Sequence, residues 1–317
     1  MSKNPELLVT AGSIPQLQKF IAAGADAVII GEQKYGMRLP GEFKIENIRE
    51  AVSIAKQAGV KIYVAVNNIM DNQLLKELPA YLAEVQQAGA DAIVFGDPSV
   101  LMIVREAAPD LKLHWNAEMT STNYRTAAYW AKRGAKRIVA ARELNMEQVI
   151  EMKEHLPNME VEVQVHGMTN IYHSKRNLVK SYMSHQNERN HASEDVHSQD
   201  VSKDRGLFLI EQERQDEKYP IYEDMNGTHI MSSDDICMIE NIHELLEGQI
   251  DSLKIEGLMK SDVYNETVIR AYRQAIDAYI ADPEDYTFQD EWLEAIQQVQ
   301  DPERELTFGF FFKEQVY

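Results

Sequence analysis

The chain has 317 residues, 44% of them hydrophobic and 26% charged, which is typical of a soluble globular protein with a large core. The formal net charge of −19 disfavours autonomous tight binding to nucleic acids or anionic membranes. No apolar run approaches the roughly 20 residues that cross a bilayer, and the polar start Met1 to Pro5 lacks a signal-peptide apolar region. We therefore expect a cytoplasmic protein without membrane contact. The single cysteine, Cys237, excludes an internal disulfide and an all-cysteine metal site.

A phrase that recurs along the chain predicts helix–glycine–strand units. Residues 22–31 read AAGADAVIIG, residues 87–96 read QAGADAIVFG, and residues 132–142 are a looser copy, KRGAKRIVAAR. In each copy a glycine follows a helical stretch, where it adopts the left-handed conformation at little cost. The apolar run after it suits a strand that is buried on both faces. Such repeated units indicate a parallel sheet with crossover helices.

Strands and helices alternate along most of the chain. The eight predicted strands are Leu7–Ala11, Ala27–Ile30, Lys61–Val66, Ala92–Phe95, Lys112–Trp115, Arg137–Ala140, Val161–Val165 and Ser252–Ile255. The predicted helices between them are Ile14–Ala23, Ile48–Ala58, Leu74–Ala88, Ser99–Ala108, Tyr124–Arg133 and Met146–His155. Ser13, Asp71 and Asn145 are predicted N-caps. The alternation predicts an α/β fold, a (β/α)8 TIM-like barrel, with an open doubly wound sheet as the alternative.

A long insertion between strands 7 and 8 interrupts this alternation, because about 85 residues separate the two strands. We predict a barrel domain over residues 1–281 with an insertion at 168–250, followed by a tail at 282–317 that packs on the barrel.

Within the insertion, residues 184–206 are almost devoid of apolar side chains and are predicted to be mobile. Residues 207–210 and 221–231 are predicted strands, with a hairpin turn at Asn226-Gly227. Residues 234–248 are a predicted helix before strand 8. A helix over 261–281 and an aromatic tail at 308–312 complete the chain.

Three ionisable residues follow the last three strands of the predicted barrel: Glu143, His166 and Glu256. Because reactive residues of such barrels lie at the C-terminal ends of the strands, we expect these side chains to face one another across the mouth. A carboxylate pair and an imidazole suit proton transfer, so all three are candidate catalytic residues. For any one of them alone, a strand end that meets water is the favoured explanation of its polarity, and the three together favour the catalytic interpretation.

Four further polar residues near strand ends are candidate substrate-binding residues. Arg142 and Lys260 suit an anionic ligand, and Asn116 and Glu118 follow strand 5. Asp97, beside a proline, is interpreted equally well as a helix cap.

Several other kinds of site are not indicated. The five histidines of the abnormal connection lack a regular spacing, so we predict no metal site; they are His166, His173, His185, His191 and His197. A G-x-S-x-G elbow, a phosphate-binding Walker loop and a G-x-G-x-x-G fingerprint are absent from the sequence, which disfavours a serine hydrolase and nucleotide cofactors.

Several blocks in order resemble peptidase family U32, the collagenase-like peptidases. They are PELLVTAGS, GADAVIIG, FGDPSVL, AAPDLKLH, RIVAARELNMEQV, VEVQVHG, SSDDICMI, DSLKIEGLMKS and RELTFGFFF. Relatives in this family bind a [4Fe–4S] cluster through four cysteines, and one branch supports hydroxylation of the wobble uridine of transfer RNA, with prephenate implicated.

The cluster signature is depleted in this chain. Asn170 and Asn177 stand at the first two cysteine positions, residues 184–206 contain no cysteine, and only Cys237 is kept. Since asparagine is not a thiolate ligand, we expect no cofactor bound by this chain and no metal. The family's Glu-Gly-Arg at strand 8 reads Glu-Gly-Leu here, so the resemblance implies the loss of an arginine at a substrate-binding position.

The resemblance implies a short subunit, similar to the smaller member of the Gram-positive pair tied to transfer-RNA uridine hydroxylation. Its expected function is prephenate-dependent 5-hydroxylation of wobble uridine, and its expected partner is a longer family paralogue that carries the iron–sulfur cluster. Transfer RNA would then be reached indirectly, through that heterodimeric partner. The alternatives are a peptidase, as the family name states, and a non-catalytic scaffold for the paralogue.

Overall fold

The computed structural model describes residues 4–116, 121–190 and 200–314. Its centre is a closed barrel of eight parallel strands, which confirms the predicted (β/α)8 architecture and excludes the open sheet. The barrel strands are β1 Glu6–Thr10, β2 Ala27–Ile30, β3 Lys61–Val66, β4 Ala92–Phe95, β5 Lys112–Trp115, β6 Ala135–Val139, β7 Glu160–Gly167 and β13 Ser252–Glu256. The barrel closes because β13 pairs with β1, Glu6 opposite Ser252, and also with β7, Glu162 opposite Ser252.

Helices surround the barrel on the outside. They are α1 Ile14–Ala23, α2 Ile45–Ala58, α3 Leu74–Ala88, α4 Pro98–Ala107, α5 Tyr124–Ala131, α6 Met146–His155, α8 Ile242–Glu247, α9 Asp262–Ala281 and α10 Asp290–Val299. Ser13 caps α1, and Asn145 forms a capping box with Gln148 at the start of α6. Gly24 and Gly89 end α1 and α3 with φ angles of 110° and 80°, which is the left-handed glycine stop expected from the repeated phrase. Within the described residues, no helix is long and apolar enough to span a bilayer.

The core has two layers because side chains of a strand alternate between its faces. Outward-facing strand residues pack against the helices in one large cluster. A smaller cluster inside the barrel contains Leu8, Ala27, Ile29, Leu39, Tyr63, Ala65, Ala92 and Val94. Below it, at the amino ends of the strands, Arg137 is 1% exposed and donates to Glu6 at 2.7 Å and to Glu162 at 3.2 Å. This buried ionic layer fills the end of the barrel opposite its mouth.

The insertion forms a second sheet. Its antiparallel strands lie in the order β8–β11–β10–β9, and their bounds are β8 Asn170–Ser174, β9 Phe208–Ile210, β10 Lys218–Asp224 and β11 Gly227–Met231. The predicted hairpin is confirmed, since Asp224 pairs with Gly227 across the turn. Helix α7 spans Leu178–Asn190 and a 3-10 turn spans Lys203–Arg205, so regular structure enters both ends of the segment predicted to be mobile. Residues 191–199 of that segment lie outside the described residues.

The predicted helix at 234–248 is wrong in its first half. Residues Asp235–Cys237 form strand β12, and only Ile242–Glu247 is helical. Strand β7 is longer than its neighbours, and its end offers an edge on which β12 pairs antiparallel, Cys237 opposite His166.

The carboxyl-terminal segment contacts β12 and α9. Strand β14, Leu306–Thr307, pairs with β12, and α10 packs on α9. In the aromatic segment 308–312, Phe311 is 7% exposed and its carbonyl accepts from the Met146 amide, whereas Phe308, Phe310 and Phe312 are 39% to 48% exposed.

Candidate active site at the barrel mouth

A small cavity lies between the mouth of the barrel and the insertion sheet. Its volume is about 40 Å³. Strand ends supply most of its walls, and β8, β11 and the connection between β2 and α2 supply the rest. The lining residues are Arg38, Asn116, Val139, Ala140, Arg142, Gln164, Met168, Asn170, Met231, Lys254, Glu256 and Leu258. The cavity is therefore where barrels of this type hold their ligands, and the insertion covers it.

Glu256 is fixed by three donors. Its Oε1 accepts from the Thr10 hydroxyl at 3.1 Å and from the Leu258 amide at 3.2 Å, and its Oε2 lies 2.9 Å from Lys254 Nζ. Lys254 and Glu256 project to the same side of β13 because they are two residues apart. The carboxylate is thus held in one orientation and its charge is compensated by the neighbouring ammonium group.

Glycines let the strand ends approach closely at this rim. Gly167 has a φ of 95°, and a β-carbon there would overlap the carbonyl oxygen of Glu256. Beside it, the Gln164 side-chain amide donates to the carbonyl oxygens of Gly167 at 3.2 Å and of Met168 at 3.0 Å. These contacts set the path of the chain from the barrel into the insertion sheet.

The structure brings three of the predicted site residues together and leaves others apart. Asn116, Arg142 and Glu256 line the cavity. Glu143 is exposed and is absent from the cavity wall, and Glu118 lies outside the described residues.

His166 does not reach the cavity, contrary to the expectation that it faces Glu256 across the mouth. Its imidazole is completely buried on the outer side of the barrel, with Nε2 2.8 Å from the Tyr264 hydroxyl and Nδ1 3.4 Å from the Tyr272 hydroxyl. The cause is a bulge in β7, where Lys254 pairs with Gln164 but the next residue of β13 pairs with His166. An extra residue reverses the alternation of side chains. Burial lowers the pKa of His166 to about 3, so the ring is neutral.

Lys260 is also placed away from the cavity. Its Nζ lies 2.5 Å from Asp235 Oδ2, and Arg304 Nη2 lies 2.9 Å from the other oxygen of the same carboxylate. Burial alone would raise the pKa of Asp235, but the hydrogen bonds and charges of Arg304 and Lys260 outweigh it and hold that pKa well below its usual range. Lys260 therefore belongs to a structural ion cluster that joins β12 to the carboxyl-terminal segment.

Sequence reasoning missed Arg38, Gln164 and Lys254. The period of two along β13 would have found Lys254, since it lies two residues before Glu256. The same rule does not find Gln164, because the bulge in β7 places Gln164 and His166 on opposite faces although they are two residues apart. Arg38 lies in the connection between β2 and α2, far from any strand end, and no local signal marks it.

The residues of this chain do not fit a [4Fe–4S] cluster. Asn170 donates its amide to the Tyr172 carbonyl at 3.0 Å, and Asn177 is exposed. The Cys237 thiol lies 4.0 Å from the Tyr272 hydroxyl in the outer core, and burial raises its pKa to about 11. Iron binds thiolates, which this environment disfavours. In the part of the chain that the structure describes, no three His, Cys, Asp or Glu side chains are grouped to hold a metal.

These features define a (β/α)8 barrel protein with a covered, charged cavity at the carboxyl ends of its strands. Residues 12–316 match the sequence profile of peptidase family U32. The chain belongs to this family.

Among its relatives, tRNA hydroxylation protein P2 of Bacillus subtilis is 49% identical over 99% of this chain and 100% of its own length. The tRNA hydroxylation protein P1 of the same organism is 35% identical, over 93% of this chain and 68% of its own length. The collagenase of Porphyromonas gingivalis is 26% identical, over 86% of this chain and 66% of its own length. A solved U32 peptidase structure aligns with a TM-score of 0.49 at 16% identity, over 80% of this chain and 92% of that one. The chain is thus closely related to tRNA hydroxylation proteins.

Proposed function

We propose that this protein is a subunit that supports 5-hydroxylation of wobble uridine in transfer RNA, together with a longer family paralogue that holds the iron–sulfur cluster. The observation that carries the proposal is the 49% identity to the P2 protein of Bacillus subtilis over the whole of both chains. That organism also has a P1 protein, which extends well beyond the region shared with this chain.

The proposed roles of the two subunits follow from the cysteine content and the charge of this chain. A redox centre held by thiolates requires cysteines, and the described part of this chain keeps only the buried Cys237. The net charge of −19 also disfavours direct binding of a phosphate backbone. A partner that supplies both the cluster and a basic surface would account for the retention of a complete barrel.

An edge of the insertion sheet supports the partner proposal. Within the described residues, β9 pairs with β10 alone, so its other edge is left without a strand neighbour. Phe208, Leu209 and Ile210 on this strand are 46%, 49% and 53% exposed. An apolar strand edge of this kind is a ready site for pairing with another chain. We assign it to the longer paralogue.

Co-purification from native lysate tests this surface. The Leu209→Asp variant should lose the longer paralogue because a charge on the strand opposes burial. Met102→Asp is the matched control, since Met102 on α4 is 64% exposed and lies on the barrel exterior. Retention of the paralogue by Leu209→Asp, or equal loss with Met102→Asp, contradicts the assignment.

The co-substrate is the second part of the proposal. Prephenate is a dicarboxylate, and the lining residues Arg38, Arg142 and Lys254 suit an anion. Nucleoside mass spectrometry of transfer RNA from cells blocked in prephenate synthesis, with and without added prephenate, measures the dependence. Unchanged 5-hydroxyuridine in the blocked cells contradicts it.

The mouth cavity gives little support to the peptidase alternative. Among the described residues that line the mouth cavity there is no serine, threonine or cysteine, so the nucleophiles of covalent peptidases are not found in this part of the wall. The Glu256→Gln variant distinguishes the scaffold alternative from a ligand-binding or chemical role. Loss of hydroxylation with normal protein abundance favours a ligand-binding or chemical role, and unchanged hydroxylation favours the scaffold.

A further inference from the structure

We propose that the outer face of the insertion sheet is a contact surface for single-stranded RNA, and that it touches the anticodon loop of the transfer RNA. The surface, which we call the β8–α7 surface, is formed by Tyr172, Lys175, Arg176 and Tyr182. This assignment rests on the proposed function, which brings an anticodon loop to the protein, and it gives part of the RNA contact to this chain and the rest to its partner.

The segment that forms the β8–α7 surface is basic in an otherwise acidic protein. Residues 163–187 contain no aspartate or glutamate, although the whole chain has 51 of them. Lys175, Arg176 and Lys180 give this segment a formal charge of +3, against −19 for the whole chain. Salt screens distant carboxylates more than it screens a cation in contact with a phosphate. The surface can therefore hold a phosphate backbone locally, although the chain as a whole is unsuited to tight binding on its own.

Two tyrosines beside these cations are exposed. Tyr172 on β8 is 47% exposed, and Tyr182 on α7 is 64% exposed. The side chain of Lys175 is 46% exposed, and Arg176 is also exposed. Aromatic rings stack on unpaired bases, and the cations that lie between the two rings along the chain suit phosphates. This combination is typical of surfaces that bind single-stranded nucleic acid.

Tyr172 and α7 lie on the same face of the insertion sheet. His173 turns to the opposite face, where its ring stacks on that of His229 at 4.7 Å. Since side chains of a strand alternate, the neighbours Tyr172 and Thr228 point to the outer face. Helix α7 begins on this outer face, because the Leu178 amide donates to the Thr228 hydroxyl at 2.9 Å.

A buried carboxylate fixes α7 to the sheet. Glu223 is 6% exposed, and its Oε1 accepts from the Val179 amide and from the Thr228 hydroxyl, both at 2.7 Å. A carboxylate at the start of a helix compensates the positive end of the helix dipole. Further along α7, the Gln186 side chain donates to the Tyr182 hydroxyl at 2.7 Å. The exposed ring is therefore presented by an ordered helix, which lowers the entropy lost on binding.

A groove continues the surface beyond Lys175. It has a volume of about 280 Å³ and lies between the hairpin turn of the insertion and the start of α3. Its apolar walls include Ile69 and Met225, which are 47% and 67% exposed, and Lys175 Nζ donates to the Ile69 carbonyl at 3.1 Å. Asp71, 3.9 Å from the same ammonium group, accepts from the first amides of α3. An apolar groove beside a cation suits a base that is splayed out of a loop next to its phosphate.

Fluorescence anisotropy of a labelled anticodon stem–loop RNA with the full chain, at low ionic strength, tests the surface. We expect saturable binding, and binding of a fully paired RNA should be at least about tenfold weaker, because stacking requires unpaired bases. Polyglutamate should not displace the stem–loop. Lys175→Glu combined with Arg176→Glu should weaken binding at least about tenfold, since it replaces attraction of phosphates by repulsion. Tyr182→Ala should weaken it about tenfold through the loss of one stacked base.

Lys112→Glu combined with Lys136→Glu is the matched control. Both lysines are exposed at the amino ends of β5 and β6, opposite the mouth, and the pair changes the net charge by the same amount. RNA affinity should change by less than about twofold, because salt screens these distant charges. The proposal is overturned if the stem–loop does not bind, if paired RNA or polyglutamate binds as tightly, or if the two double variants weaken binding equally.

Nucleoside mass spectrometry distinguishes the failure of this proposal from the failure of the proposed function. If 5-hydroxyuridine persists in cells that lack the chain, the proposed function is wrong, and the anisotropy measurements alone decide on the RNA surface. If 5-hydroxyuridine requires the chain but Lys175→Glu with Arg176→Glu binds the stem–loop like the wild type, only the RNA surface is wrong.

Discussion

Replacement of Asp235 by asparagine should destabilise the protein strongly, although Asp235 lies outside the mouth cavity. Its carboxylate is completely buried and joins three parts of the chain. Lys260, before α9, lies at 2.5 Å, and Arg304 and Gln300, from the carboxyl-terminal segment, lie at 2.9 Å and 2.8 Å. Asparagine keeps the shape of the side chain but removes its charge.

The size of the effect follows from the burial of the two cations. The side chains of Lys260 and Arg304 are each 8% exposed, so Asp235→Asn leaves both without their shared counter-charge. Breaking a buried ion pair from one side costs about 3–5 kcal/mol. For 317 residues the entropy of unfolding is about 0.67 kcal/mol/K, so the expected fall in melting temperature is about 5–8 °C.

Calorimetry of the wild type and of Asp235→Asn measures this fall. The pKa of Asp235 is lowered in the folded state, so its stabilisation is complete above the unfolded-state pKa near 4 and is lost as the pH falls through the folded-state pKa. The difference between the proteins should therefore be the same at pH 6 and pH 8. Asp277→Asn is the control, since Asp277 is 63% exposed and its pair with Arg273 is worth less than about 1 kcal/mol. Equal melting temperatures of the wild type and Asp235→Asn would show that the buried carboxylate does not stabilise the fold.

Three further predictions concern the rim, the buried imidazole and iron. In urea unfolding, the free energy of unfolding should fall by about 2 kcal/mol more in Gly167→Ala than in Gly134→Ala. Both glycines have a positive φ, but only a β-carbon at Gly167 would overlap the Glu256 carbonyl oxygen. Equal losses of stability in the two variants would contradict this. His166 is buried with a pKa of about 3, whereas the unfolded chain takes up its proton near pH 6.5. Stability should thus fall between pH 7.5 and pH 5.5, less steeply in His166→Asn than in the exposed-site control His155→Asn, and equal slopes would refute the assignment. Protein purified without oxygen should be colourless with substoichiometric iron by metal analysis, and about four irons per chain would require ligands that this account does not provide.

The sequence predicts the barrel well because its strands are short apolar runs that are buried on both faces. The bounds of β2, β3, β4 and β5 agree with the predicted strands residue by residue. Each of the runs in β2 and β4 is preceded by a helix that ends at a glycine, and that combination has few alternative structures.

The sequence predicts the candidate site less well, because the site depends on how the strands pair and on loops that are distant along the chain. The position of His166 at the end of strand 7 predicts that its ring faces the mouth, but a one-residue bulge turns the ring to α9. The sequence predicts that Lys260 binds a ligand, but a carboxylate on β12 holds it, and the sequence predicts a helix where β12 lies. Arg38 and Met231 reach the mouth from a loop and from the insertion sheet, which strand-end patterns do not mark.

Nucleoside mass spectrometry of transfer RNA from cells that lack this chain but keep the longer paralogue tests the proposed role most directly. We expect 5-hydroxyuridine to fall sharply in these cells and to be restored by the wild-type chain. We also expect Arg142→Gln, at normal abundance, to restore it poorly. Unchanged 5-hydroxyuridine in cells without the chain would contradict the claim that this barrel supports transfer-RNA hydroxylation.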